Sequence, residues 1–292
     1  MIRPMPSVLH SFCIALAAMF LIACGGAEDA GGDTNADAGP SAAWPETVRV
    51  GIVPTEGGAD SRARFQPLRQ HLGDRLGVEI EIVSASSYQA MITAMDNDQV
   101  EFCFFGPKSY VEAAKRAGAE ALLIELGVDG SPGYFSEFIV PAGSEVQSIE
   151  DAQGLRFAYT DPNSTSGRLV PSIVLRDLTG MEADDFFGEV VFSGSHGSSA
   201  LLVANGEIDI AATNNLDLGR MYEKGALRPD QIRVIHRSDL IPGAPWAARR
   251  DIPDDLKAAF VEAMLEMNDD AEMLARFANG GVREIEDSAY DI

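Results

Sequence analysis

The chain is poor in cysteine and in basic residues. It has three cysteines in 292 residues, and 22 lysines and arginines against 45 aspartates and glutamates. This negative balance argues against binding of nucleic acid, or of an anionic membrane, through a basic face. A small anionic ligand is still compatible with it, because local dipoles inside a pocket can oppose the field of the whole protein.

The first 24 residues have the features of a targeting segment. Arg3 supplies a positive start, and the apolar core Phe12–Ile22 is too short to span a bilayer as a permanent helix, which favours a cleaved secretory signal. Leu21-Ile22-Ala23-Cys24, followed by two glycines, resembles the lipobox of bacterial lipoproteins. The resemblance implies cleavage after residue 23 and a lipid on Cys24 that anchors the protein to a membrane.

The rest of the chain lacks the usual signatures of catalysis. Removing residues 1–23 removes one arginine and no acid, which leaves 21 basic residues, 45 acidic residues and a net charge of −24. With Cys24 lipidated, Cys103 is the one free cysteine, so no internal disulfide is possible, and no Cys/His cluster has the spacing of metal ligands. A P-loop and a nucleophile elbow are also missing, so we expect neither a cofactor nor an enzyme.

Residues 24–45 are rich in Gly, Ala and Asp and predict a flexible tether. Beyond it, short apolar strands alternate with amphipathic helices. Val78–Val83 alternates apolar residues with glutamate, whereas residues 61–76 place apolar side chains three and four apart. This alternation predicts an α/β fold with a largely parallel sheet.

The α/β pattern starts again after Gly143, which predicts two lobes. The C-terminal tail has too little sheet to stand alone and should return to the first lobe. We therefore assign residues 46–141 and 240–292 to the first lobe and 142–239 to the second. Crossings near Val140–Gly143 and His236–Ile241 would form a hinge, and the cleft that a hinge controls is a favoured ligand site.

The stretch Asp161–Gly167, with the sequence Asp-Pro-Asn-Ser-Thr-Ser-Gly, lies between the apolar run Leu155–Tyr159 and the predicted helix Leu169–Leu178. It places three hydroxyls and several backbone N–H groups at a helix start, where the macrodipole is positive and an anion is favoured. Ser and Thr are also ordinary N-cap residues, so the heptapeptide alone is compatible with a plain cap.

Other polar stretches follow predicted strands at the edge where α/β sheets usually bind ligands. They are Ser86–Tyr88, Phe105–Tyr110, Gly133-Tyr134, Ser193–Ser199 and Thr213–Asp217. Each has a simpler interpretation: His196 could be structural, Tyr88 and Tyr134 could be core aromatics, and Asn214-Asn215 could be a plain turn. Their recurrence at equivalent strand ends favours one shared site.

Several blocks along the chain resemble one transporter family. They are Phe105–Tyr110, Asp129–Tyr134, Asp161–Pro171, Leu202–Asn215 and Ile241–Pro245. They are similar to the phosphonate-binding proteins of the phosphate/phosphite/phosphonate ABC-importer family, and the resemblance covers about residues 46–285. It implies the two-lobed type II periplasmic binding protein fold, with a hinge and a central ligand cleft. It also implies an ABC permease and ATPase as partners.

The family binds the phosphonate head through a Ser-Thr-Ser run, a histidine and tyrosines. The matching positions in this sequence are Tyr88, Tyr134, Ser164, Thr165, Ser166 and His196. Neutral hydroxyls and amides that converge on a tetrahedral oxyanion are chemically suited to it. We include Asn214, from a matching block, in the predicted site.

In the family, carboxylates hold the amine of aminoalkyl phosphonates. One such position matches Asp217, where the family has a longer Glu, and another is expected at Ala244, which is not an acid. Phosphate, phosphite, methylphosphonate or another small oxyanion is therefore at least as compatible with this chain.

The resulting hypothesis is a lipid-anchored, periplasm-facing solute-binding protein that captures a phosphorus oxyanion for ABC import. One alternative is a sensory protein that reports an oxyanion to a membrane kinase. Arsenite is a further ligand for that alternative because of Cys103, although a buried core cysteine is the simpler interpretation. The other alternative is a phosphoester or phosphonate hydrolase that uses His196 with Asp217.

Overall fold

The structure of the protein is a computed structural model that describes residues 43–56, 58–277 and 279–291. The predicted leader, nearly all of the tether and the lipid site at Cys24 lie outside these residues. In chain order the strands are β1 (Thr47–Ile52), β2 (Glu79–Ser84), β3 (Phe102–Phe104), β4 (Glu120–Glu125), β5 (Gly133–Tyr134), β6 (Ser136–Pro141), β7 (Arg156–Tyr159), β8 (Glu189–Phe192), β9 (Ile210–Asn214), β10 (Ile232–Arg237), β11 (Ile241–Pro242), β12 (Pro245–Ala248) and β13 (Val282–Glu284).

The helices alternate with these strands, as the sequence predicts. They are α1 (Gly58–Leu76), α2 (Tyr88–Asp96), α3 (Pro107–Ala117), α4 (Val170–Thr179), α5 (Ala183–Phe186), α6 (His196–Ala204), α7 (Asn215–Glu223), α8 (Asp254–Glu266) and α9 (Ala271–Phe277). A π-helical turn, Thr165–Leu169, leads into α4. Among the described residues, none of these helices combines the length and the apolar character that crossing a bilayer requires.

The first lobe is built on a mixed sheet in the order β13-β4-β12-β3-β1-β2. Strand β3 is central and fully buried, which explains its apolar sequence Phe-Cys-Phe. It pairs in parallel with β1 and antiparallel with β12, so the C-terminal part of the chain inserts into the middle of this sheet. Phe102 stacks on Phe260 of α8 at 3.9 Å between ring centroids. As predicted, the C-terminal part of the chain returns to the first lobe, where β12 is a central strand of the sheet.

The second lobe has the sheet order β10-β6-β9-β7-β8. Strands β7, β8 and β9 run parallel, and β6 is antiparallel to both β9 and β10. The loops that follow β7, β8 and β9 leave from one edge of the sheet because these strands share a direction. In the first lobe the loops after β1, β2 and β3 do the same.

The position of β6 differs from the prediction. The sequence placed residues up to 141 in the first lobe, but Ser136–Pro141 hydrogen-bonds within the second sheet. The chain therefore passes between the sheets in residues 126–135, and not near Val140–Gly143. The strand, with the sequence Ser-Glu-Phe-Ile-Val-Pro, is buried along nearly its whole length, and such burial suits the interior of either sheet, so its sequence alone does not specify its partners. The return runs through residues 238–244, close to the predicted His236–Ile241, and β5 and β11 pair where the two connections meet.

Cys103 lies at the centre of β3 with no exposed surface. Burial raises the pKa of its thiol well above the usual value, which keeps it protonated. These properties are those of a core residue, and they remove the basis for a thiol-reactive ligand at this position.

Candidate functional site

The segment Asp161–Gly167 forms a tight turn at the carboxyl end of β7. The Asp161 carboxylate accepts a hydrogen bond from the Asn163 backbone N–H at 2.7 Å. Ser164 is the N-cap of the following π-helical turn, and its hydroxyl accepts a hydrogen bond from the Gly167 N–H at 2.9 Å. The helix therefore begins at Thr165, four residues before the predicted start at Leu169, and the Ser-Thr-Ser run occupies its cap and first turn.

Glycine is required at residue 167 because neighbouring side chains lie very close to its Cα, and not because of its φ angle. A Cβ atom at this position would lie 2.2 Å from the Thr160 hydroxyl oxygen and 2.9 Å from that of Ser164. The Thr160 N–H donates to the Gly167 carbonyl at 2.9 Å, which joins the two ends of the turn. The absence of a side chain at residue 167 thus permits the packing that holds Ser164 in place.

His196 lies beside this turn, at the N-terminus of α6, and is 2 % exposed. Its Nε2 is 3.5 Å from the Ser164 hydroxyl, and its Nδ1 is 3.4 Å from the hydroxyls of both Thr160 and Thr213. Burial lowers the pKa of His196 from its usual value, against the opposing effect of the Asp217 charge. The imidazole is accordingly neutral at pH 7, with one N–H that can donate.

The first lobe reaches the same turn through the N-termini of α2 and α3. The Tyr88 N–H donates to the Asp161 carboxylate at 3.3 Å, and the Lys108 N–H donates to the Thr165 hydroxyl at 2.8 Å. The Lys108 ammonium also donates to the Pro162 carbonyl at 2.7 Å. These contacts close the two lobes on each other at the Ser-Thr-Ser run.

Two tyrosine hydroxyls complete this polar cluster. Burial, followed by the charge of Asp217, raises the pKa of Tyr88 well above its usual value, and a hydrogen bond with Ser164 acts in the opposite direction. Burial also raises the pKa of Tyr134, in the hinge strand β5, against hydrogen bonds with Ser166 and Thr165. Both hydroxyls therefore stay protonated and able to donate.

We call Tyr88, Tyr134, Ser164, Thr165, Ser166 and His196 the hydroxyl–imidazole cluster. Its members are all buried. The N-terminal residues of α2, α3 and α6 contact the Asp161–Gly167 turn, which leads into a helix, so positive ends of helix dipoles from both lobes meet here. Within the cluster the side chains are neutral, and converging N–H and O–H donors suit a tetrahedral anion. The charged groups of Asp161 and Lys108 contact the same turn but are held by backbone hydrogen bonds.

Asn214 and Asp217 have a different environment from the rest of the predicted site. Asn214 caps α7 by accepting from the Asp217 N–H at 2.8 Å, and its amide donates to the Asp217 carboxylate at 2.6 Å. The other Asp217 oxygen is 2.8 Å from the Arg220 guanidinium. Although burial alone would raise the pKa of Asp217, the charge of Arg220, the charge that His196 carries when protonated at low pH, and these hydrogen bonds lower it. Asp217 is therefore an ionised and paired carboxylate.

Arg220 belongs to an ion-pair network that the sequence analysis did not identify. Its members, which we call the ion-pair network throughout, are Glu56, Arg64, Glu125, Asp217, Arg220 and Lys224. Arg220 Nε lies 3.1 Å from Glu56, and Lys224 Nζ lies 2.7 Å from the other Glu56 oxygen. Both contacts join the second lobe to the first. A signal was available in the sequence, because residues 217 and 220 have the i,i+3 spacing of a helical ion pair.

His196 and Asp217 have different partners. The imidazole contacts hydroxyls of Thr160, Ser164 and Thr213, whereas the carboxylate contacts Asn214 and Arg220. The hydrolase hypothesis requires these two residues to act as a coupled acid and base. Their observed hydrogen bonds do not support such a dyad.

The comparisons with known proteins agree with this architecture. The family described as "ABC transporter, phosphonate, periplasmic substrate-binding protein" matches residues 50–290. The chain belongs to this family. It is 32% identical over 265 residues to the phosphate-import protein PhnD of Mycolicibacterium smegmatis, covering 86% of this chain and 79% of the relative. It is 31% identical over 216 residues to the phosphonates-binding periplasmic protein of Escherichia coli, covering 73% of this chain and 63% of that relative.

Solved structures show the same fold. A binding protein component of an ABC phosphonate transporter from Pseudomonas aeruginosa superposes with a TM-score of 0.80 at 28% identity, covering 84% of this chain and 83% of the other. PhnD1 from Prochlorococcus marinus has a TM-score of 0.77 at 22% identity, with coverage of 85% and 96%. The expected two-lobed type II periplasmic binding protein fold is thereby confirmed.

Proposed function

We propose that this protein captures a small phosphorus oxyanion at the hydroxyl–imidazole cluster and delivers it to an ABC importer. The observation that carries the proposal is the Ser164-Thr165-Ser166 turn, which both lobes contact through N–H groups, hydroxyls and an imidazole. Relatives at 31–32% identity are named for phosphate import and for phosphonate binding, which supports the ligand class.

In this proposal the protein binds its ligand without catalysis. Tetrahedral oxyanions have many lone pairs, so several neutral donors can replace their hydration shell without a fixed counter-ion. A bound anion would favour protonation of His196 and add one positive charge to the site. Both lobes contribute donors, so the ligand binds best when the lobes are closed, and the closed form is what an importer would recognise.

Thermal unfolding with different anions tests the ligand class. Phosphate, phosphite and methylphosphonate at millimolar concentration should raise the melting temperature, because a ligand at about 100 times its Kd adds about 2.7 kcal/mol of stability. Sulfate and chloride at equal ionic strength serve as controls. No shift with any phosphorus oxyanion would reject the proposal.

We further propose that a lipid on Cys24 holds the protein at the membrane surface. The support is the lipobox-like sequence Leu21-Ile22-Ala23-Cys24 and the Gly/Ala/Asp-rich segment that follows it. Mass spectrometry of the protein from its native membrane should find a lipidated N-terminal Cys24. A Cys24→Ser variant should leave the membrane fraction, and a variant that stays there would argue against this anchor.

A further inference from the structure

A small cavity adjoins the hydroxyl–imidazole cluster. It has a volume of about 30 Å³, and Tyr134 and Gly106 line it together with Glu125, Asp217, Arg220 and Ala244. A Cβ built on Gly106 would lie 3.6 Å from the Thr165 hydroxyl, so this wall borders the Ser-Thr-Ser turn directly. A space of this volume holds about one water molecule. A group attached to an oxyanion in the cluster and directed towards Asp217 would enter it.

The charged groups around this cavity are already paired. Glu125 pairs with Arg64, Asp217 with Arg220 at 2.8 Å, and Glu56 with both Arg220 and Lys224. Three carboxylates are thus matched by three cations within the ion-pair network.

Arg220 has the central position in this arrangement. Its guanidinium contacts Asp217 of its own helix and Glu56 of the other lobe, and lies 3.9 Å from Glu125. A cationic ligand tail entering the cavity would meet this buried positive charge. It could pair with Asp217 only by displacing Arg220, and breaking a buried ion pair is strongly unfavourable.

We propose that Arg220 determines ligand specificity by pairing with Asp217, the carboxylate that a cationic ligand tail would need. The site then accepts phosphate, phosphite and phosphonates with a tail no larger than a methyl group, and rejects phosphonates that carry an ammonium group. This inference rests on the proposed oxyanion function of the neighbouring cluster. The size and the charge of the ligand tail both affect binding. The cavity is too small for a long tail, and its carboxylates are already paired with cations.

Titration calorimetry of the purified protein against five ligands tests the inference. They are phosphate, phosphite, methylphosphonate, ethylphosphonate and 2-aminoethylphosphonate. The affinity for 2-aminoethylphosphonate should be at least about 100-fold weaker than that for methylphosphonate. Ethylphosphonate should fall between them, since it tests size without charge. Equal affinity for the amino and methyl ligands would overturn the specificity inference alone, whereas no binding of any ligand would overturn the proposed function as well.

Two variants separate the role of Arg220 from general stability. Arg220→Met removes the charge and keeps an unbranched side chain, which leaves Asp217 available to an ammonium group. The ratio of methylphosphonate to 2-aminoethylphosphonate affinity should fall at least about tenfold in this variant. Lys224→Met is the matched control, because it removes a cation of the same network without touching Asp217, and its ratio should stay unchanged.

A folded Arg220→Met protein with the wild-type ratio would show that Arg220 has only a structural role. Thermal unfolding establishes whether the variant is folded. If it is not, the wild-type comparison of the five ligands decides the question, because discrimination against the ammonium group requires no substitution.

Discussion

Two buried polar regions lie next to each other between the lobes. They differ in whether their polar groups are neutral or charged. The hydroxyl–imidazole cluster consists of neutral groups that keep hydrogen-bonding capacity for a partner from outside the chain. The ion-pair network consists of full charges that satisfy each other inside the chain. Buried charges are tolerated only when they are paired, whereas neutral donors can be buried at lower cost. In the proposed function the first region binds the ligand, and in the further inference the second restricts which ligands can bind.

The largest effect on folding should come from breaking the ion-pair network. Glu125→Gln leaves the buried Arg64 guanidinium with Glu56 as its remaining carboxylate, at 3.5 Å. Loss of one partner of a buried pair costs about 3–5 kcal/mol, so chemical denaturation should show a decrease of that size in the free energy of unfolding.

The matched control is Asp230→Asn, which removes an exposed ion pair with Arg228. Exposed pairs contribute about 0–1 kcal/mol, so this variant should unfold almost like the wild type. Equal effects of the two substitutions would contradict the view that burial makes the network important for folding.

In the hydroxyl–imidazole cluster the pattern should be reversed, with a large effect on binding and a small one on folding. Thr165→Ala and Ser166→Ala should each cost about 1–3 kcal/mol of oxyanion affinity, because each leaves ligand oxygens without a donor. Their cost in folding should be about 1 kcal/mol each, the net contribution of one hydrogen bond, because the N-cap Ser164 is unchanged.

Titration calorimetry with phosphate, together with chemical denaturation, measures the two quantities. Thr179→Ala is a useful control because its hydroxyl donates to the Leu175 carbonyl at the far end of α4. A folded double variant of Thr165 and Ser166 with unaltered affinity would show that the turn is only a helix cap.

His196 should make the stability of the protein depend on pH. Burial lowers its pKa in the folded state below its usual value of 6.5, so the unfolded chain binds a proton more readily. Stability is therefore fully present above pH 6.5 and is lost as the pH falls from there through the folded-state pKa. The loss is about 1.4 kcal/mol for each unit of difference between the two pKa values.

Chemical denaturation of the wild type and of His196→Gln between pH 5 and 8 isolates this contribution. The variant should have the shallower dependence below pH 6.5, and the two curves should run parallel at higher pH. Saturating phosphate should reduce the slope of the wild type, because a bound anion favours protonation of His196. Identical slopes for both proteins would exclude His196 as the titrating group.

The smallest effect should come from the exposed end of the ion-pair network. Lys224 bridges the lobes through Glu56, but 43% of its side-chain surface is exposed. Lys224→Met should therefore weaken oxyanion affinity by about 1 kcal/mol or less, as for a solvent-screened pair. A larger loss in calorimetry would show that this bridge contributes more to lobe closure than its exposure suggests.

Much of the fold can be read from local sequence patterns. Apolar runs and helical spacings predict most of the longer strands and helices, because burial on one side of an element imposes its own period. The placement of β6 could not be predicted in this way, since a strand with an apolar centre, such as residues 138–140, fits either sheet. Strand β12 was missed because its four residues are too short to carry a period.

The sequence by itself also determines the chemistry of the turn proposed to bind the anion and the family of the protein. Ser164, Thr165 and Ser166 are adjacent in the chain, so their role at a helix start is a local property. The ion-pair network is visible only in the tertiary structure, because members such as Glu56 and Arg220 are far apart in sequence. Electrostatic pairing of this kind depends on distance in space and on exclusion of water, and neither is encoded in any single stretch of the chain.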